Sequence, residues 1–207
     1  MSGEDKKVCN LLPKQIYIIR HAEKEKNPKF FGCSKRGLAR SLFLAGFFLT
    51  PSELIFKPDL IYCFNKHKNK NRSVQTATPL YKIGQYKPEQ LNTQFNNDEE
   101  DTAKMLDSMF HPDNAGKIIL CIWEHKIIPR IIRSIGDRLG IRSFSDFKVW
   151  SQKPWKGKDD RSLFSLVIII ETASKVLVAC SQGDNFTKDE SELLSDAKTL
   201  GKILFKM

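Results

Sequence analysis

The chain has 207 residues, enough for one domain with a sizeable core, and its 41% hydrophobic and 28% charged content is that of a folded protein rather than a disordered one. Its 34 basic side chains outnumber 24 acidic ones to give +10, which favours anionic partners without choosing among phosphorylated molecules, nucleic acid and an acidic membrane surface. Five scattered cysteines (Cys9, Cys33, Cys63, Cys121, Cys180) form no CxxC pair, which speaks against a disulfide framework or a zinc site and for reduced thiols.

Residues 1–14 read as a loose lead-in, and their polar start lacks the apolar core of a signal peptide. The β-branched run Ile16–Ile19 predicts a buried strand that stops at Arg20-His21. A charged loop follows. Ser34 then stands as helix N-cap, with Leu38, Leu42, Ala45 and Leu49 at helical spacing and Pro51 as a stop. A second strand, Asp59–Phe64, leads into a basic loop, residues 66–72, and a helix from about Ser73 into Tyr81, where Pro79 is tolerable only near the first turn or at a kink. Residues 84–101 are polar and predict a long loop of the kind that covers a site.

A helix through Met105 and Phe110 comes next. Residues 117–123 are then the strongest strand candidate, ending in Glu124-His125. Pro129 opens a helix whose apolar face is Ile131, Ile132, Ile135 and Leu139. After a loop with Trp150, Pro154 and Trp155, strands are expected at 163–170 and 176–180. A capping-box pattern, Thr187 to Glu190, precedes Leu193, Leu194, Ala197, Leu200 and Leu204. Strands alternating with helices predict an α/β single domain over 1–207, a three-layer α/β/α sandwich on a mainly parallel sheet. The longest apolar stretch, within 163–170, is far short of the ~20 residues of a spanning helix. The expectation is an intracellular, cytoplasmic protein with no membrane partner; oligomeric state is not legible.

In open α/β sheets ligands bind beyond the carboxyl ends of the strands. Three such ends carry candidate groups here: Arg20-His21, the loop ending in Arg72, and His125. Arginine offers a fixed fork of donors for phosphate and histidine a nitrogen nucleophile. In order, Arg20-His21-Ala22-Glu23-Lys24, Ser34-Lys-Arg-Gly37, Arg72-Ser-Val-Gln75-Thr76-Ala77, Glu124-His125 with Pro129, and Asp159-Asp160 resemble the histidine phosphatase superfamily, the phosphoglycerate-mutase-like group, most closely its Arg-His-Ala-Glu-Lys branch.

That resemblance, over roughly residues 15–180, implies a phosphoglycerate-mutase-like fold and a metal-independent phosphatase. His21 is then the nucleophile that forms a phosphohistidine, Arg20 and Arg72 grip the phosphoryl oxygens, and His125 completes the pocket. No cofactor is implied, and no cluster with metal-ligand spacing is evident. The substrate is a phosphorylated small molecule or protein. The chain departs from the group's pattern at Glu124, where glycine is common; a carboxylate there either tunes or proton-couples the pocket or simply faces away, and facing away is the expectation. The general acid is open: Glu99 is a candidate among Asp98 to Asp101, against the reading of these residues as the acidic first turn of a helix. Asn27 is a candidate phosphate contact, against a solvated loop residue.

Two alternatives remain. A phosphomutase of the same fold lacks a recognisable insertion to enclose a bisphosphate. A catalytically inactive basic scaffold for phosphorylated protein or nucleic acid fits the charge, but residues 66–72 contain none of the aromatics that nucleic-acid binders interleave. Other chemistries fail on spacing. Cys33 and Arg40 have six residues between them rather than the five of a cysteine phosphatase loop; Leu38 stands where a Walker A loop needs Lys; no GxSxG elbow occurs.

Overall fold

A computed structural model describes residues 11–25, 32–50, 52–64, 72–141 and 166–181. Its elements are β1 (Gln15–Arg20), α1 (Lys35–Leu49), β2 (Leu60–Cys63), α2 (Arg72–Ile83), β3 (Leu91–Asn92), α3 (Glu99–Met109), β4 (Ile118–Trp123), α4 (Ile128–Arg138), β5 (Leu166–Glu171) and β6 (Val176–Ser181). The strands form one sheet in the order β3-β2-β4-β1-β5-β6. The pairings β1–β4, β2–β4 and β2–β3 are parallel, whereas β5 runs antiparallel to both β1 and β6.

The two apolar runs of the sequence became the centre of the sheet. Every residue of β1 and β4 is buried, as expected for strands covered on both faces. Alternation then divides their side chains between two cores. Ile16 and Ile18 join Ile119, Cys121 and Trp123 beneath Met105 and Met109 of α3 and Ile128, Ile131, Ile132 and Ile135 of α4. Tyr17 and Ile19 join Leu120 and Ile122 against Leu44, Ala45 and Phe48 of α1 and Ala77 and Leu80 of α2. The α/β/α layering with a mainly parallel sheet is therefore present.

Several details differ from the sequence expectation. The polar segment 84–101 is interrupted: a 3₁₀ turn at Pro88–Gln90 leads into β3, which pairs with β2. Two residues are too few to show a strand's alternation. Asp98 caps α3 by accepting from the Asp101 N–H at 2.8 Å, so the acidic run is the first turn of that helix. On α1, Leu38 is 49% exposed while Arg40 is fully buried, so the inward stripe is Gly37, Arg40, Ser41, Leu44, Ala45 and Phe48. Pro79 lies inside α2, where it has no N–H to give the preceding turn. The proposed capping box at 187–190 and its helix, Trp150, Trp155, Asp159 and Asp160 lie outside the described residues.

Candidate functional site

At the carboxyl end of β1 the ladder continues one step past the strand: the His21 N–H donates to the Trp123 carbonyl at 3.0 Å. His21 is only 3% exposed. Its Nδ1 lies 2.8 Å from the Ala22 carbonyl. A carbonyl can only accept, so Nδ1 carries the proton and Nε2 keeps its lone pair. The ring also meets the edge of Phe64, centroids 6.1 Å apart, and Phe64 packs on Trp123 at 5.4 Å.

The segment after His21 is tied down at three points. The Ala22 N–H donates to Thr76 Oγ1 at 2.8 Å, and that hydroxyl donates to the Arg72 carbonyl at 2.7 Å. The Glu23 carbonyl accepts from the Ser34 N–H at 2.8 Å. The Glu23 carboxylate receives Arg40 through Nε at 2.6 Å and through Nη2, with Arg36 Nε 3.4 Å away. Gly37 is what allows this approach, because a Cβ there would stand 2.4 Å from the Glu23 carbonyl oxygen. Ser34 meanwhile caps α1, accepting from the Gly37 N–H at 3.0 Å. The Glu23 of the first motif and the Ser34–Gly37 motif are thus two halves of one joint.

Arg72 begins α2, next to Ser73, whose hydroxyl donates to the Ile122 carbonyl of β4. Arg20 is buried at the last position of β1, in register with Trp123. His125 lies two residues beyond β4 and is partly buried. The four predicted groups converge electrostatically. Burial first, then the charges of Arg72, Arg20 and His125, push the His21 pKa down to about 3 against the lift from the Ala22 hydrogen bond. Burial, Arg20, Lys126 and Arg72 push His125 down to about 4, opposed by Glu124. Arg72 Nε, Trp123 Nε1 and His125 Nδ1 are all buried with no hydrogen-bond partner. A cluster of fixed cations, neutral imidazoles and unpaired nitrogens at strand ends is suited to an oxyanion.

The remaining candidates are placed differently. Glu99 is 82% exposed in the first turn of α3 and faces Arg130 at 3.3 Å; its charge is absent from those acting on either imidazole. Asn27 and His67 lie outside the described residues, and His111 is a surface residue beside Asp113. Glu124 does not simply face solvent: its carboxylate accepts from Nδ2 of Asn97, a buried residue of the segment before α3. Cys33 is held up to about 11, by burial above all, and its Sγ lies 3.6 Å from the Arg72 carbonyl, so it is no ready thiolate. Among the described residues, no group of three or more His, Cys, Asp or Glu could hold a metal ion, and no helix is long and apolar enough to cross a membrane.

The sequence reading gave no role to Arg40, Thr76 or Asn97. Neither Arg40, which the helical spacing of Leu38, Leu42, Ala45 and Leu49 turns outward, nor Asn97 carried a signal in the sequence.

No family model matches the chain, and no curated protein matches it. Among solved structures, the chain is similar to a crystal structure from Agrobacterium tumefaciens whose protein is provisionally named the phosphohistidine phosphatase SixA. The likeness spans 77% of this chain and 92% of that one at 16% identity, with a TM-score of 0.42.

Proposed function

We propose that this protein is a phosphatase that works without a metal and hydrolyses a phosphoester through a phosphohistidine on His21. The observation that carries this reading is the state of His21. It is buried and neutral, its Nδ1 is committed to the Ala22 carbonyl, and two guanidiniums act on it. Its Nε2 attacks phosphorus in line; the P–N bond forms as the bond to the leaving oxygen breaks. Arg20 and Arg72 hold the equatorial oxygens, where phosphoryl transfer needs positioning and charge stabilisation most. Water then attacks the phosphohistidine and releases phosphate and neutral His21. His125 contributes a further nitrogen at the same anion. A bound dianion favours its protonated form, the reverse of what the arginines do in the free pocket.

The test is turnover of 4-nitrophenyl phosphate in excess chelator by the parent and by His21→Ala. Chelator-resistant hydrolysis that disappears in the variant is expected. Equal background rates from both proteins would support a binding scaffold instead.

A further inference from the structure

A phosphatase that cleaves an alkyl ester must also protonate the departing oxygen, and none of the four groups above is free to do so. Guanidiniums do not give up protons, His21 is occupied as nucleophile, and His125 is taken up as a further donor to the bound anion. Most of the carboxylates brought towards this end of the sheet are engaged elsewhere. Glu23 is locked to Arg40 and Arg36. Asp98 caps α3, Asp101 accepts from the Asn96 N–H at 2.8 Å, Glu100 pairs with Lys104 and Glu99 with Arg130.

Glu124 is placed otherwise. It follows β4 directly and precedes His125, and its charge reaches that imidazole. Its carboxylate is anchored by the Asn97 amide. Asn97 is only 8% exposed, yet its Oδ1 has no hydrogen-bond partner. The Glu124 carboxylate and the unpaired amide oxygen of the Asn97 bound to it are two acceptors on the residue that precedes His125 and its partner. Two acceptors at one spot suit a small donor such as water or an alcohol.

We infer that Glu124 is the proton-transfer residue of this site, with Asn97 positioning it. This rests on the phosphohistidine reading above. In the first half-reaction the carboxyl of Glu124 gives its proton to the leaving oxygen as the P–O bond breaks and His21 takes the phosphoryl group. The product is an alcohol, phosphohistidine and the Glu124 carboxylate. In the second half, that carboxylate removes a proton from water as its oxygen attacks phosphorus and the P–N bond breaks, which restores the carboxyl, neutral His21 and free phosphate.

The test compares the parent with Glu124→Gln, which keeps an acceptor for Asn97, using radiolabelled 4-nitrophenyl and phenyl phosphates. Nitrophenolate leaves without a proton, so Glu124→Gln is expected to label His21 at a near-parental rate with the first substrate. It is then expected to hydrolyse that label about 100-fold more slowly, so labelled enzyme accumulates. With phenyl phosphate the labelling step itself falls by a similar factor. Added formate is expected to restore hydrolysis to Glu124→Ala, which a merely structural role would not allow; this variant also carries the test if Glu124→Gln does not fold. Parental label turnover and parental leaving-group dependence in Glu124→Gln would overturn the inference, as would the same trapped label in Glu99→Gln instead. A parent that never labels His21 overturns the phosphohistidine reading and this inference together; a parent that labels normally beside an unaffected Glu124→Gln overturns this inference alone.

Discussion

Arg72 is where a single side chain is asked for the most. Its backbone carbonyl anchors Thr76 and, through Thr76, the Ala22 amide beside His21. Its guanidinium acts on both imidazoles, and its Nε is buried without a partner. Replacing it with Lys keeps one positive charge but loses the planar fork that matches two phosphoryl oxygens at once. Arg72→Lys is expected to lower kcat/KM for an aryl phosphate by about 100-fold with the fold intact. Near-parental kinetics would place Arg72 outside the reacting pocket. Arg72 stood out in the sequence because it closes the basic loop 66–72 and opens the Arg72–Ala77 motif. Asn97 did not, because its use depends on Glu124, 27 residues away, meeting it in space.

Among the elements, the joint between the β1 exit loop and α1 ties down the segment that follows His21. A fully buried guanidinium is costly unless it is paired and hydrogen-bonded, and Glu23 supplies both to Arg40. Glu23→Ala leaves that charge uncompensated and is expected to cost about 3 kcal/mol in a denaturant titration. The double variant Glu23→Gln with Arg40→Met is expected to recover most of the loss, because neither buried charge remains. A Glu23→Ala protein as stable as the parent would show that the pair does not hold the loop. The same joint explains why the helix period misoriented α1. Pattern reading turns a charged residue outward and a leucine inward, whereas here Glu23 draws Arg40 in and Leu38 is left exposed. On α4 Arg130 and Arg138 meet Glu99 and Asp107 at the surface, and Pro129, Ile131, Ile132 and Ile135 lie inward as the period demands.

For the molecule as a whole, one buried and one partly buried neutral histidine set a pH dependence of stability. His21 falls from the ordinary 6.5 to about 3 on folding and His125 to about 4. Between those values and 6.5 the unfolded chain binds protons that the folded chain refuses. Unfolding free energy therefore rises with pH through this window: the contribution is complete above pH 6.5 and is lost as acid drives the pH towards 4 and then 3. Urea midpoints are expected to fall between neutral pH and about pH 4.5, and to fall less in His21→Gln, which cannot titrate. Midpoints equal at the two pH values in the parent would show that His21 titrates normally and is not buried.

Sequence by itself determined the longer elements among the described residues, though not β3, and the order in which Arg20, His21, Arg72 and His125 follow one another along the chain. Those depend on local periodicity, on the apolar runs of β1 and β4, and on turn and cap residues that act within a few positions. Tertiary structure decided the strand order, the inward face of α1 and the meeting of groups such as Ala22 with Thr76, 54 residues apart. Such contacts form only when two faces of one sheet are buried at once, and no local pattern records which distant partner will satisfy a buried charge or amide.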